Sequence, residues 1–350
     1  MSTIRPSSTG TQVLLVLACL VVVISGLKAA SAIVVPLLMA VFLAIIATPP
    51  MQWLQRRGLP VWAALALILM MLVGAIIVIG SLIGASIDQL SAALPRYEAQ
   101  LRALIDDAAR WATTLGLALP PGGMVDMINP GAAARFFGRL ISGFGSLLAN
   151  SLLIIFTVLF LLVEAAAIPA KLRAILPDAD KSLDNLSEFL ASVKSYLVIK
   201  AAMSFVTGLT VTVWLLILGV DFAVLWGGIA FFMNFVPYLG SIIAAMPAVI
   251  LSLLDAGPMT ALLVAGGYVA VNLVVGNWLE PRFMGRGLGL STLVVFISLV
   301  FWGWIFGPVG MFLSTPLTML VKIALESDPR SRWLAVLLSA QAPADTPDPS

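Results

Sequence analysis

The chain has 350 residues, of which 61% are hydrophobic and 10% are charged, and it contains no histidine and one cysteine. Soluble domains contain about 45–50% apolar and about 25% charged residues, so a soluble globule could not cover this much apolar surface. The lack of histidine excludes Ser-His-Asp and Cys-His catalysis and HExxH zinc sites, and a net charge of +2 does not indicate a nucleic-acid partner. We therefore expect an integral membrane protein that is not an enzyme and that needs no cofactor or metal.

Apolar runs long enough to cross a membrane, about 20 residues each, follow one another along most of the chain. The uninterrupted runs are Gln12–Leu27, Ala29–Thr48, Val61–Gly84, Gly143–Ile168, Tyr196–Leu218 and Met259–Leu279. Two further runs, Phe222–Leu254 and Leu290–Leu325, are broken by proline and glycine. These runs predict an all-α fold, a polytopic transmembrane helical bundle of about 7–8 spans with two Pro/Gly-broken helical hairpins and a short extramembrane helical insert.

Polar stretches between the apolar runs predict the organisation of the chain. The units are an N-terminal three-span unit (1–84), an amphipathic helical insert (85–142), a fourth span (143–168), a surface helix (169–195), a C-terminal core with broken helices (196–327) and a disordered tail (328–350). The insert has apolar residues at helical spacing between acids and arginines, and the tail is rich in Pro, Ala, Asp and Ser.

The distribution of arginine predicts the orientation in the membrane. Arginine pairs lie in two short loops and near the C-terminus: Arg56 with Arg57, Arg282 with Arg286, and Arg330 with Arg332. The positive-inside rule then places both termini in the cytoplasm and the insert in the periplasm of a bacterial inner membrane. A cleaved signal peptide ending at Ala30-Ser31-Ala32 is the alternative, but its basic region is thin and a second full span follows directly.

The two interrupted runs are broken in corresponding ways. Each has a Pro/Gly break, a short apolar stretch and then a further proline, and the residues concerned are Pro237, Gly240 and Pro247 in the first and Gly307, Pro308, Gly310 and Pro316 in the second. Backbone groups freed by such breaks must be satisfied within the protein or by cavity water. A matched pair of interrupted segments is typical of transporters with discontinuous helices, and ordinary proline kinks are the alternative.

Polar residues inside or beside the apolar runs are the candidate pathway residues. They are Asn234, Pro237, Gly240 and Ser241 around the first break, Asn272, Asn277 and Glu280 near the end of one span, and Lys200, Ser204 and Thr207 along another. At about 100° per residue, Asn272, Asn277 and Glu280 fall within an arc of about 140° that can face inward. Buried ionisable groups indicate function, although Lys200 and Glu280 lie close enough to span ends to extend toward the membrane surface instead.

Three motifs carry a family resemblance. They are Asn234-Phe-Val-Pro237-Tyr-Leu-Gly240-Ser, Asn277-Trp-Leu-Glu280-Pro-Arg-Phe-Met-Gly285, and Phe301-Trp-Gly-Trp-Ile-Phe-Gly307-Pro308-Val-Gly310-Met followed by Pro316-Leu-Thr. Together with the opening hairpin and the Arg56-Arg57 loop, they make the chain similar to the autoinducer-2 exporter family over nearly its whole length. The resemblance implies an inner-membrane protein that moves solute without ATP hydrolysis and forms a homo-oligomer such as a pentamer.

The function expected from these features is secondary transport. The resemblance implies export of a small polar solute such as autoinducer-2, for which the amides and hydroxyls of Asn234, Ser241, Asn272 and Asn277 are suitable partners. It also leaves open Na⁺(Li⁺)/H⁺ antiport, with a monovalent cation as substrate and Glu280 as the acidic group. A non-transporting membrane scaffold is the alternative from another class.

Overall fold

A computed structural model describes residues 9–114, 150–164, 171, 179–237, 239–284, 290–326 and 331–340. Within these ranges the chain is helical apart from short connections, which confirms the predicted all-α class. The predicted second half of the insert, both ends of the fourth span and the last ten residues lie outside the described residues.

The described residues of the N-terminal part, 9–114 and 150–164, form four helices. They are α1 (Thr9–Ala29), α2 (Ser31–Arg56), α3 (Val61–Thr114) and α4 (Ser151–Glu164). Three alanines of α2, Ala40, Ala44 and Ala47, are buried in one cluster with Val158 of α4 and Ile68 of α3. Small side chains allow membrane helices to approach closely, which explains why α2 packs at the centre of this group.

Two polar stretches are continuous with the spans beside them. Helix α3 runs without interruption from Val61 to Thr114, and α5 runs from Ala179 to Ile217. The predicted boundaries at residues 84/85 and 195/196 are therefore not breaks in secondary structure. A helix that has already formed adds further residues at little cost, so it can continue from lipid into water without a break. These two boundaries therefore remain predictions about where the lipid ends.

Helix α5 packs most closely against α6 (Ala223–Met233). A Cβ atom built on Gly227 would lie 1.7 Å from Thr212 Oγ1 and 2.7 Å from the Gly208 carbonyl oxygen, both on α5. The two backbones are thus in near contact at Gly208 and Gly227, the small-residue packing that is favourable between membrane helices.

The first interrupted run forms a helical hairpin, called the first hairpin here. Helix α6 ends at Met233, the chain turns over residues 234–239, and α7 (Gly240–Ala256) returns. At about 1.5 Å per residue the two arms are about 16 and 26 Å long, each shorter than the roughly 30 Å of a bilayer core. Helix α8 (Pro258–Val271), a π-helical segment (Asn272–Leu279) and α9 (Glu280–Met284) follow.

The second interrupted run also reverses direction and is called the second hairpin. It comprises α10 (Thr292–Phe312) and α11 (Ser314–Glu326). Inside α10, Gly307 has φ 66° and ψ −148°, which is not helical, and Trp302 before this point donates a hydrogen bond from Nε1 to Thr318 Oγ1 after it, at 3.0 Å. The chain therefore folds back at Gly307. These two reversals confirm the predicted pair of Pro/Gly-broken hairpins.

The tail differs from its prediction. Residues 332–338 form a helix, α12 (Arg332–Leu338), although disorder was predicted from residue 328 onward. Ala335 on this helix is buried, and the Leu338 carbonyl accepts a hydrogen bond from the Ser291 backbone N–H at 3.0 Å. The prediction is wrong for this stretch because its apolar residues pack against the end of the second hairpin before the Pro- and Asp-rich sequence begins.

Five helices within the described ranges are long and apolar enough to cross a membrane. They are Ser31–Arg56, Val61–Ala93, Ala191–Ile217, Pro258–Phe283 and Thr292–Phe312. Thr292–Phe312 meets this criterion by length, but its reversal at Gly307 leaves two shorter arms. Large apolar side chains remain exposed along these helices, as at Leu262 and Met70. Lipid, rather than water, is the solvent in which such a surface is stable.

The part of α3 beyond the apolar run holds both ends of the first hairpin. Arg96 forms a salt bridge with Asp255, next to the end of α7, and the Tyr97 hydroxyl donates a hydrogen bond to Asp221 Oδ2 at 3.0 Å, just before α6. Consecutive residues of α3 thus bind Asp221 before α6 and Asp255 in the last turn of α7, which places both at the same end of the bundle.

Tyr97 is expected to make stability depend on pH in the alkaline range. Burial first, and then the hydrogen bond and negative charge of Asp221 and the charge of Asp255, raise the pKa of Tyr97 from 10.0 to about 12, against a lowering effect of Arg96. The unfolded hydroxyl ionises first, so its stabilising contribution is constant below pH 10 and is lost between about pH 10 and pH 12. Thermal unfolding midpoints across this range should fall more steeply for the wild type than for Tyr97→Phe, and parallel curves would contradict the assignment.

Candidate functional site

One face of α5 carries a buried row of polar side chains, called the polar stripe here. It consists of Tyr196, Lys200, Ser204 and Thr207. Their spacing of four, four and three residues places them on the same side of the helix, over a length of about 16 Å. Tyr196, Lys200 and Ser204 are buried, as is the hydroxyl oxygen of Thr207. A buried polar row inside an apolar helix is costly and therefore indicates a functional pathway.

The stripe contains an ion pair with a residue of α9. Lys200 Nζ donates to Glu280 Oε1 at 2.6 Å, and the two side chains are only 9% and 14% exposed. Both residues were predicted from the sequence as pathway residues without a partner, with extension to the membrane surface as the alternative. The structure directs both charges into the bundle. Tyr196 and Thr315 lie beside them.

A π-helical segment explains why Glu280 faces inward. In an α-helix, Glu280 would lie about 140° around the axis from Val275, five residues earlier. Here residues 272–279 are π-helical, and the Glu280 backbone N–H donates to the Val275 carbonyl. Because the hydrogen bonds of a π-helix join residues five positions apart, Glu280 lies one turn after the buried Val275 and on the same face of the helix. Of the three residues predicted on one inward arc, Glu280 thus faces inward, whereas Asn277 is exposed.

The next residue of the stripe, Ser204, binds the break of the first hairpin. Asn234 directly follows the last residue of α6, and its Nδ2 donates to Ser204 Oγ at 3.0 Å. Ser204 has no exposed surface, and Asn234 is partly buried. The predicted site residues of two separate runs thus form one hydrogen-bonded contact.

A small cavity lies at the far end of the stripe. Its volume is about 10 Å³, and its walls are formed by Thr207, Val211, Ala230, Asn234, Ser241, Ala244, Tyr268, Val271 and Asn272. Four of these were predicted from the sequence as pathway residues. The polar atoms around the cavity are hydroxyls and amides, with no formally charged side chain among its lining residues. The cavity is therefore suited to an uncharged polar group.

The tips of the two hairpins meet beside this site. The rings of Phe235 in the first hairpin and Phe312 in the second have centroids 4.0 Å apart, and Phe42 of α2 packs against both. A Cβ atom built on Gly240 would lie 1.8 Å from the Met233 carbonyl oxygen, and one built on Gly310 would lie 1.9 Å from that of Trp302. In both hairpins a glycine after the break thus contacts the end of the helix before it.

The remaining predicted residues have varied positions. Asn277 is exposed on the surface of the chain, and Asn272 is exposed while one side borders the cavity. Among the predicted hinge residues, Pro247 and Pro316 are buried inside α7 and α11, Pro237 is half-buried in the first turn, and Pro308 is exposed directly after Gly307.

Tyr196, Tyr268 and Thr315 were not predicted from the sequence. Tyr268 is buried in α8 at the cavity, and Tyr196 and Thr315 lie beside the ion pair. A signal was available, because the chain has only four tyrosines and a tyrosine inside an apolar span brings a hydroxyl that requires a partner.

Comparison with known proteins gives the family. The sequence model of the AI-2E family transporter matches residues 17–329. The AI-2 transport protein TqsA of Escherichia coli K12 is 38% identical over 94% of this chain and 96% of its own length. The putative transport protein YhhT of the same organism is 36% identical over 98% of both chains, and a putative transport protein of Haemophilus influenzae is 35% identical over 93% of this chain and 96% of its own. The chain therefore belongs to the AI-2E family and is a multi-pass membrane transporter.

Proposed function

We propose that the protein is a secondary transporter that exports a small, uncharged, polyhydroxylated solute such as autoinducer-2 across the bacterial inner membrane. The similarity to TqsA, an AI-2 transport protein, supports this solute class. The polar stripe with the adjacent cavity is the proposed pathway. The observation that carries the proposal is the alignment of buried hydroxyl and amide groups from α5, the first hairpin and α8 around one cavity.

The chemistry of the pathway supports an uncharged solute. The lining of the cavity provides hydroxyls and amides, which can both donate and accept hydrogen bonds, and the single ion pair of the stripe is internally neutral. An ion moving along this stripe would have to replace its hydration shell with neutral groups. A polyol exchanges hydrogen bonds with water for hydrogen bonds with the same kinds of groups at a lower cost.

The second candidate function is Na⁺(Li⁺)/H⁺ antiport through Glu280. One observation favours it, since the Glu280 carboxylate lies inside the bundle rather than at its surface. Its hydrogen bond from Lys200 argues against it, because an exchanging carboxylate must release its partner to bind a proton or cation. Everted vesicles that show Na⁺-dependent proton movement in the wild type and none in Glu280→Gln would favour the antiporter; no movement in the wild type would reject it.

The proposed arrangement has cytoplasmic termini and a homo-oligomer such as a pentamer. The arginine pairs support the orientation. The shared contacts of α3 with Asp221 and Asp255 are consistent with it, since the predicted topology places these connectors on the external side.

Asn234→Leu is expected to abolish solute transport while the protein still folds in the membrane. The variant removes the donor to Ser204 and places an apolar side chain in the wall of the cavity. Purified protein in liposomes loaded with labelled autoinducer-2 measures efflux directly. As the matched control, Thr157→Leu changes a partly exposed residue of α4, outside the pathway, whose hydroxyl donates to the Leu153 carbonyl of its own helix, and it should transport normally.

The efflux rates of the wild type, Asn234→Leu and Thr157→Leu are compared under the same conditions. If the wild type carries autoinducer-2 and Asn234→Leu carries it equally well, the pathway assignment is wrong. If the wild type carries no member of a panel of small polyols, the proposed function itself is wrong. Size-exclusion profiles in detergent show whether each variant is folded.

A further inference from the structure

Two buried hydroxyl groups at the cavity have no hydrogen-bond partner among the described residues. They are Thr207 Oγ1 on α5 and the phenolic oxygen of Tyr268 on α8. Tyr268 is 6% exposed, so its side chain is more than nine-tenths buried. Both residues belong to the cavity wall, on two different helices.

Buried hydroxyl groups without partners destabilise the folded protein. A buried hydroxyl without a partner costs about 1–3 kcal/mol relative to one that is hydrogen bonded. By contrast, the amide of Asn234 in the same wall is hydrogen bonded to Ser204, which lies outside the cavity. Part of the polar lining is therefore hydrogen bonded within the protein, and the hydroxyls of Thr207 on α5 and Tyr268 on α8 remain available to a ligand.

The size of the cavity limits what these hydroxyls can bind. About 10 Å³ is close to the smallest space that holds one water molecule. A whole polyol does not fit, but one hydroxyl group is as large as one water molecule. Each of the two hydroxyls can donate one hydrogen bond and accept others, so together they can bind a group that both donates and accepts.

We propose that Thr207 and Tyr268 form an anchoring subsite that binds one hydroxyl group of the transported solute. This inference rests on the proposed function and adds to it a recognition element for a hydroxyl-bearing substrate. The rest of the solute extends from the subsite along the polar stripe toward Asn234 and Ser204, where the hairpin tip borders the path. A solute without a hydroxyl at the anchoring position leaves both protein groups unpaired and binds more weakly.

The test removes each hydroxyl with little change in shape, using Tyr268→Phe and Thr207→Val. Uptake of labelled autoinducer-2 and of erythritol into proteoliposomes should show a KM raised about tenfold, the effect of losing one hydrogen bond of good geometry. The thermal midpoint of both variants should remain the same or rise, because an unpaired buried hydroxyl is removed. Thr210→Val, on the exposed side of α5, is the matched control and should keep the wild-type KM.

The decisive comparison combines a hydroxyl removed from the protein with a hydroxyl removed from the solute. The wild type should prefer erythritol to its monodeoxy analogues, and Tyr268→Phe should reduce this preference for the analogue that lacks the anchoring hydroxyl. Wild-type KM and preference in both variants would show that the cavity binds only water and would overturn the subsite. A wild type that transports no polyol would instead contradict the proposed function, so the two failures are distinguishable.

Discussion

Lys200→Met is expected to lower the free energy of unfolding by about 3–5 kcal/mol, because it leaves a buried carboxylate without its counter-ion. The two charges are 2.6 Å apart, and both side chains are almost fully enclosed. Glu280→Met should have a similar effect, since it leaves the ammonium of Lys200 unpaired. Transport should be lost in both variants, because the pair lies in the polar stripe.

Removing both charges should restore most of this stability. The double variant Lys200→Met/Glu280→Met buries two apolar side chains of similar length, and such replacements of a buried ion pair are often neutral or stabilising. Its unfolding free energy should therefore lie closer to that of the wild type than to either single variant. If transport remains absent in this stable protein, the pair acts in transport and not only in folding.

The thermal midpoint in detergent measures these effects. Arg110→Met is the matched control, because Arg110 and Asp107 form an ion pair that is about three-quarters exposed on both sides. Exposed pairs contribute about 0–1 kcal/mol, so the control should unfold like the wild type. Single variants of Lys200 and Glu280 that are also as stable as the wild type would show that these charges are hydrated rather than enclosed.

Gly240→Ala and Gly310→Ala are each expected to prevent correct folding of one hairpin. The new Cβ atom would be placed 1.8 Å and 1.9 Å, respectively, from a backbone carbonyl oxygen of the preceding helix. Backbone cannot move aside as a flexible side chain can, so the cost should be about 3 kcal/mol or more, at the upper end of overpacking effects. The yield of monodisperse protein and its thermal midpoint should both fall.

Gly266→Ala separates this effect from the general effect of adding a methyl group. Gly266 lies in α8, and a Cβ atom there would have no neighbour within 4 Å. Alanine is the better helix former by up to about 1 kcal/mol, so this variant should be as stable as the wild type or more so. A stable Gly240→Ala protein would mean that the first hairpin does not turn in this way.

Much of the fold could be predicted because it depends on local properties of the chain. Apolar length gave the membrane class and most of the helices, and the positions of Pro237, Gly240, Gly307 and Gly310 gave the two broken hairpins. Errors arose where a local pattern was not decisive. The tail contains a short apolar helix before its Pro- and Asp-rich sequence begins. The polar stretch after the third span continues α3 through Pro95 to Thr114, so the end of the lipid at residue 84 stays a prediction.

The candidate site was only partly predictable because its contacts join distant parts of the chain. Lys200, Asn234 and Glu280 were found by their polarity within apolar runs. Their partners were not, since Lys200 and Glu280 are 80 positions apart in the sequence. The face on which Glu280 lies depends on a π-helical segment, which regular α-helical spacing does not reveal.

The sequence by itself determined that this protein resides in a membrane and at which residues its helices are broken. It also determined which polar residues are unfavourable enough in lipid to indicate a function. These properties follow from the free energy of placing single residues in lipid. Only the tertiary structure decided that the charges neutralise each other, that the hairpin tips meet, and that the hydroxyls of Thr207 and Tyr268 border one cavity without partners. Such facts depend on which helices pack side by side, and packing is a property of the whole chain.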